Sequence, residues 1–147
     1  MIIHKRFKGA LASAGLLMAM GAVPAAAAQG DVSANGDLSP NRSSAQLTVA
    51  VQCDAPVNVG DTKTGTLTVH IFQPSGRLLN IGIGTSPITC DGNQADVIVD
   101  VDAIPGLKFK PGPATVLLKL TEQTQDSNQL VTEDTTTESG GKINLRP

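Results

Sequence analysis

Apolar and polar residues alternate one by one in several stretches of this chain, and this alternation limits the possible folds more than any other feature. Between Ala45 and Cys53, the apolar residues Leu47, Val49 and Val51 fall on one face and polar or small residues fall on the other. A period of two predicts a β-strand with one buried face. The same period recurs in four further sets: Leu67, Val69 and Ile71; Leu79, Ile81 and Ile83; Val97, Val99 and Val101; Val116, Leu118 and Leu120. We therefore expect an all-β domain in which these sets face the core.

Turn-forming residues separate the strand-like stretches. The segment from Asp91 to Gln94 lies between two of them and predicts the loop of a hairpin. Pro105 and the segment from Pro111 to Pro113 mark turns around Phe109, which we expect to anchor its turn to the core. No stretch after the N-terminal segment shows a helical period. Roughly eight short strands at this spacing indicate a β-sandwich or a β-barrel, and of the two we expect an antiparallel β-sandwich of about seven or eight strands.

The last third of the chain predicts two more strands. They cover residues 129–137 and 142–146, and the turn signal from Ser139 to Gly141 lies between them. The predicted β-sandwich domain therefore extends over residues 45–147. Residues 29–44 are rich in Gly, Asp, Ser and Asn and poor in apolar side chains, so we expect a flexible leader there.

The chain begins with a basic segment that contains Lys5, Arg6 and Lys8, and an apolar run follows it. This order, followed by small residues, predicts a secretory signal peptide over residues 1–28, with cleavage between Ala28 and Gln29. A retained membrane anchor is the alternative, but a helix needs about 20 apolar residues to span a bilayer and this run is shorter. We expect a secreted or extracytoplasmic protein that does not contact the membrane after cleavage.

Cys53 and Cys90 are the only two cysteines, and both follow the predicted cleavage site. Disulfides persist in oxidising compartments outside the cytoplasm, so we expect the two residues to be bonded. Closing a loop of this length contributes about 4 kcal/mol in the chain-entropy estimate. That is a large share of the stability of a small domain.

Both cysteines end predicted inward-facing strands, so a bridge between them would pin one sheet to the other. This arrangement resembles an immunoglobulin-like sandwich, although the chain contains no Trp and no Tyr. The segments Thr89 to Gly92 and Phe109 to Ala114 resemble a pattern in small exported proteins of actinomycetes. That resemblance covers about Ala45 to Arg146 and implies a bacterial one-disulfide sandwich. It implies no activity.

The predicted mature chain is acidic. Its eight basic residues are scattered among 13 acidic residues, which gives a net charge of about −5. Proteins that bind nucleic acids gain affinity from clustered Lys and Arg, so a nucleic-acid partner is not expected. We expect the partner to be an extracellular protein or a component of the cell surface.

Few residues of the mature chain could support catalysis. His70 is its one histidine, and no cysteine remains free once the bridge forms. A zinc site usually needs three or four His, Cys or carboxylate ligands, and a cysteine nucleophile needs a thiolate. We interpret His70 as an exposed strand residue, and we expect no catalytic residues and no cofactor.

Asp96, Asp100 and Asp102 fall on one face of a predicted strand, and they leave a calcium site open as an alternative. Residues two apart on a strand are separated by about 7 Å, however, so these carboxylates would need ligands from another segment. Our main interpretation is a solvated outer face without a metal. The spacing matches no EF-hand loop.

These observations favour a non-enzymatic binding or structural module that presents loops to a partner. The alternative is a secreted hydrolase inhibitor or a hydrolase. An inhibitor would need a protruding loop, and the candidates are residues 54–63 and 106–113. Phe72 falls on the outward-facing phase of its strand together with His70, so a small exposed apolar area is expected there.

Overall fold

The computed structural model describes residues 29–147, whose regular structure is entirely β-strand. The strands, in chain order, are β1 (Gln29–Val32), β2 (Asn35–Leu38), β3 (Ser44–Gln52), β4 (Thr62–Ser75), β5 (Leu78–Thr89), β6 (Gln94–Ala103), β7 (Gly112–Gln125) and β8 (Val131–Arg146). The prediction of an all-β domain is confirmed for this part of the chain. No helix in it is long and apolar enough to cross a membrane. The signal peptide predicted over residues 1–28, with Ala28 at its cleavage site, lies outside the described residues.

The sheet closes on itself. Its strand order is β1-β3-β2-β8-β7-β4-β5-β6, and β6 pairs with β3 along all nine residues of β3. This last pairing makes a barrel of seven strands, β2 to β8, to which β1 adds one extra strand. The prediction of an open immunoglobulin-like sandwich is therefore wrong. Alternation identifies strands in a sandwich and in a barrel equally, and it carries no information about which distant strands pair.

The predicted hairpin between β5 and β6 also differs from the structure. The loop lies where it was expected, but the two strands pair only at Gly82 with Ala103 and at Ile83 with Asp102. β6 turns instead toward β3, and this change of partner closes the barrel.

The buried face of strand β5 is the one that the alternation predicted to be exposed. Asn80, Gly82 and Gly84 face the interior and are buried, whereas Leu79 and Ile83 face outward with exposed fractions of 46% and 50%. The interior leaves no room for larger side chains, because a Cβ on Gly82 would overlap the Phe109 ring and a Cβ on Gly84 would overlap the Asp100 carbonyl. The apolar set therefore lies on the outside of the barrel.

Residues 29–44, expected to be a flexible leader, carry β1 and β2. β1 pairs with one half of β3, and β2 lies between the other half of β3 and the end of β8. Only Val32 and Leu38 supply large buried apolar side chains. Backbone hydrogen bonds, which composition does not reveal, place this segment in the sheet.

The two strands predicted after residue 129 are one strand, β8. The turn signal from Ser139 to Gly141 marks a bulge, where the register with β7 shifts between Val116 and Leu117. Gly141 has a φ of 75°, a value that suits glycine. β7 and β8 thus form one long hairpin.

The buried apolar side chains form one continuous cluster. The largest fully buried side chains are Leu47, Val49, Leu67, Val69, Ile71, Val99, Val101, Phe109, Val116 and Leu145. Phe109 is fully buried, as predicted for the anchor of its turn.

We predict that Gly84→Ala lowers the free energy of unfolding by about 1–3 kcal/mol, because its Cβ would meet backbone atoms of Asp100 and Val101 that cannot rotate away. Urea unfolding of the chain from Gln29 to Pro147 measures the change. The control is Thr85→Ala on the exposed face of the same strand, which should stay within about 0.5 kcal/mol of the wild type. A Gly84→Ala variant as stable as the control would contradict the close approach of β5 to β6.

Candidate binding surface

The loop between β3 and β4, residues 54–61, is the most exposed apolar segment of the described chain. Val57 is 87% exposed and Val59 is fully exposed. Large apolar side chains that protrude into solvent favour contact with a partner when they occur in a group. This loop is one of the two that the sequence offered as candidate protruding loops.

The disulfide fixes the start of this loop. Cys53, the residue before the loop, is bonded to Cys90 across a sequence separation of 37 residues, which confirms the predicted bridge. The Gly92 N–H donates a hydrogen bond of 2.9 Å to the Cys53 carbonyl, and the Gln52 amide donates one of 2.8 Å to the Gly92 carbonyl. The base of the loop is thus tied to the segment between β5 and β6.

A turn shapes the second half of the loop. The Asp61 N–H donates to the Asn58 carbonyl at 3.2 Å, and the Asn58 amide donates to the Asp61 carboxylate at 3.4 Å. Gly60 has a φ of 93°, which side chains rarely allow. These contacts hold Val59 at the outside of the turn.

The tip of the β7–β8 hairpin lies beside this loop and is also ordered by its own hydrogen bonds. The Asp126 carboxylate accepts from the backbone N–H groups of Asn128 at 2.8 Å and Leu130 at 2.9 Å. Leu130 is 63% exposed and Val131 is 54% exposed. The tip therefore presents a second apolar pair with a defined backbone.

The loop and the tip border a shallow cleft of about 320 Å³. Its lining residues are Pro56, Val57, Asn58, Asp61, Lys63, Thr124, Asp126, Leu130 and Thr132. We call residues 54–61 together with residues 126–131 the end surface. Four exposed apolar side chains thus lie at one end of the barrel, two on each segment.

The end surface is acidic at its border. Lys63, the cation in the cleft, forms an ion pair of 3.1 Å with Glu122, and both side chains are about 15% exposed. The carboxylates of Asp54, Asp61 and Asp126 form no ion pair among residues 29–147. The field at this end therefore favours a positively charged partner.

The other candidate loop, residues 106–113, is held against the barrel. Buried Gln73 accepts a hydrogen bond from the Lys110 N–H at 2.8 Å and donates one to the Lys110 carbonyl at 2.6 Å. Phe109, the residue before Lys110, is fully buried in the core. This loop is not free to protrude in the way that an inhibitory loop requires.

His70 lies far from the end surface, on the outer face of β4. Its pairing partners in the sheet are Ile83 and Leu117, so apolar residues flank it on both sides. Its ring stacks on Phe72 at a centroid distance of 6.2 Å, and its Nδ1 has no hydrogen-bond partner among residues 29–147. The residue is half-buried and not exposed as predicted, and its flanking residues supply no acid to orient it as a base.

Asp96, Asp100 and Asp102 lie along the exposed face of β6, as the alternation predicted. Asp100 accepts a hydrogen bond from Gln46 at 3.2 Å. Among the described residues, no group of three or more His, Cys, Asp or Glu side chains is close enough to hold a metal ion. The structure therefore gives the calcium alternative no support.

Burial raises the pKa of the Glu138 carboxyl above its ordinary value. Glu138 lies on β8 opposite Leu118, and its Oε2 has no hydrogen-bond partner in the described part of the chain. A raised pKa suits a general acid, but an acid–base pair needs a second group with a different pKa nearby. The facing residue is apolar, so Glu138 lacks that partner on β7.

Sequence reasoning identified the loop over residues 54–63 but missed Leu130 and Val131. The available signal was local: both apolar residues directly follow a turn that contains Asp126 and Asn128. The pairing of β4 with β7 brings this turn beside the loop. The sequence does not show that pairing, so it could not place the turn and the loop on one surface.

No protein-family profile matches the chain, and no curated protein matches it. The resemblance to exported actinomycete proteins stays a prediction. The disulfide is compatible with an extracytoplasmic protein.

We predict that the double variant Cys53→Ala and Cys90→Ala lowers the free energy of unfolding by about 2–5 kcal/mol and speeds amide hydrogen exchange in residues 54–61. The physical reason is that the bridge anchors the base of the loop. Urea unfolding and hydrogen exchange followed by mass spectrometry measure the two effects. Wild-type protein treated with reductant should reproduce both. Unchanged exchange in the loop would show that the bridge does not order the end surface.

Proposed function

We propose that the protein is a secreted, non-enzymatic binding module that presents its end surface to an extracellular protein or a cell-surface component. The observation that carries this proposal is the exposure of Val57, Val59, Leu130 and Val131 at one end of the barrel. Side chains of this size usually contribute to a core, and here the fold holds them in solvent.

The energetics of binding support this role. Burying a Val or Leu side chain contributes roughly 1.5–3 kcal/mol, so four of them supply a substantial part of a binding free energy. Association also costs free energy when loops must be ordered. The disulfide at Cys53, the turn at Asn58 and the hydrogen bonds of Asp126 reduce that cost, because they order the surface before the partner arrives.

The charges indicate the kind of partner. Asp61 and Asp126 line the cleft together with Val57 and Leu130, and Asp54 begins the loop, so we expect a partner with an apolar recess bordered by Lys or Arg. The acidic surface disfavours nucleic acids, whose phosphates it would repel.

Inhibition of a secreted hydrolase is the second candidate. The observation that favours it is the fully exposed Val59 on a loop whose base is fixed by a disulfide. Such a loop can occupy an active-site cleft without losing much conformational entropy. A hydrolase activity of the protein itself finds less support, because His70 is flanked by Ile83 and Leu117.

The test places a photo-crosslinking amino acid at position 59 and, as the control, at position 98. Ile98 is 62% exposed on the outer face of β6, outside the end surface. Intact cells and culture medium are the probes, and the crosslinked partner is identified by mass spectrometry. We expect a partner that is captured from position 59 only.

Affinity of the captured partner is then compared between Val57→Asp/Val59→Asp and Ile98→Asp. We expect at least a tenfold loss of affinity for the first variant and no change of affinity for the second. The reason is that an Asp carboxylate at position 57 or 59 cannot replace the buried apolar contact of the Val side chain. Equal capture from both positions, or unchanged affinity of the first variant, would contradict the proposal. Stoichiometric inhibition of a protease or glycosidase that requires Val59 would identify the partner as an enzyme.

A further inference from the structure

Strand β8 is unpaired on one side along most of its length. It contains 16 residues, and β2 closes the ring by pairing only with its last part, from Asn144 to Arg146. β1 pairs with β3 and not with β8. From Val131 to Ser139, β8 therefore has β7 on one side and no strand on the other within residues 29–147. We call this part of β8 the open edge, and such an edge can pair with a strand of another polypeptide.

The hydrogen bonds of the hairpin show which backbone groups point to the open edge. The Asp126 N–H donates to the Leu130 carbonyl at 2.9 Å and closes the hairpin. In an antiparallel pair alternate residues exchange bonds with the partner strand, so the even-numbered residues from 132 to 138 bond to β7. The odd-numbered residues direct their N–H and C=O groups away from β7. They are Val131, Glu133, Thr135, Thr137 and Ser139, and all five are exposed.

The open edge is acidic. Residues 121–141 include five acids and no Lys, Arg or His; the acids are Glu122, Asp126, Glu133, Asp134 and Glu138. Three of them lie on the open edge, where Glu133 is on one face of the strand and Asp134 and Glu138 are on the other. None of these three forms an ion pair within residues 29–147. Their charge is therefore available to a partner.

These charges determine which strand fits the open edge. A second copy that paired through its own β8 would bring Glu133, Asp134 and Glu138 of both copies onto one pair of strands, with no base between them. Like charges on neighbouring strands are destabilising, whereas opposite charges stabilise the pair. The acids therefore protect the edge against self-association and favour a strand that carries Lys or Arg.

We propose that the open edge binds an extended basic segment of another polypeptide, which adds a strand to the sheet. The five odd-numbered residues hold the segment through main-chain hydrogen bonds, and its Lys or Arg side chains lie beside the three acids. The edge is about 30 Å long, which suits a segment of about nine residues. This site goes beyond the proposed function, because it uses the backbone of β8 and not the side chains of Val57 and Val59.

The probe is a blocked peptide of about nine residues made of Thr and Lys, with Lys on both faces of the extended chain. NMR titration of the chain from Gln29 to Pro147 with up to about 1 mM peptide measures the affinity, and amide hydrogen exchange locates the contact. We expect saturable binding that slows exchange of the Thr135 and Thr137 N–H groups roughly tenfold. The Thr136 N–H already bonds to β7, so its exchange should change little.

Two control peptides separate main-chain pairing from charge attraction. The same peptide with all backbone nitrogens methylated keeps every charge but has no main-chain donor, so it should bind at least tenfold more weakly. A peptide with Glu in place of each Lys keeps the donors and should not bind, because it repels the acids of the open edge.

Thr135→Pro tests the edge from the side of the protein. It removes an N–H that points to the open edge and leaves the hydrogen bonds to β7 in place, so it should weaken binding at least tenfold. Its matched control is Thr135→Ala, which changes the same side chain, keeps the N–H and should bind as the wild type does.

Two pairs of acids test the charge contribution. Glu133→Gln/Asp134→Asn should weaken binding severalfold, whereas Asp96→Asn/Asp102→Asn removes the same charge from β6 and should not. β6 pairs with β3 over the length of that strand and offers no open edge there.

Three results would each overturn the proposal. They are no binding of the Lys peptide, equal binding of the methylated peptide, and unchanged exchange of Thr135 and Thr137 in the bound protein. The variant Val57→Ser/Val59→Ser keeps this test separate from the proposed function. It should bind the peptide as the wild type does, and a loss of binding would place the peptide on the end surface and contradict the proposal.

Discussion

The close approach of β5 to β6 is the constraint on which the rest of this structure depends. Gly82 leaves space for the Phe109 ring, and Gly84 lets the backbone of β5 lie against the Asp100 carbonyl. Through this contact the strands β4, β5, β7 and β8 join the ladder of β3 and β6. One closed core results in place of two sheets with free edges. The same two glycines occupy the inner face of β5, so Ile81 and Ile83 must lie on the outer face.

Closure also determines where the end surface lies. The chain leaves the barrel at Cys53, and β7 runs next to β4, which brings the hairpin tip beside the loop of residues 54–61. The disulfide ties that end of the barrel to the segment around Gly92. The proposed binding surface is thus at one end of the barrel.

The sequence was sufficient for local features and insufficient for distant ones. The alternation around Val49, Val69, Val99 and Leu118 correctly gave strands and inward faces, because side-chain direction in a strand is a local property. The barrel was not predictable from it, since the pairing of β3 with β6 joins residues far apart in the chain. In β5 the alternation correctly indicated a strand, but the prediction of its buried face was wrong. The Phe109 ring and the Asp100 carbonyl fill the space on the inner side, so glycines face the interior and Ile83 faces outward.

The claim that the sheet is closed is tested most directly by NMR of the chain from Gln29 to Pro147 with its disulfide intact. A closed barrel requires cross-strand nuclear Overhauser effects at three places in the same molecule. They are Leu47 with Val99 between β3 and β6, Ile83 with Asp102 between β5 and β6, and Gly36 with Leu145 between β2 and β8. We expect all three. Contacts at the first place together with their absence at either of the other two would show an open sheet and contradict the account.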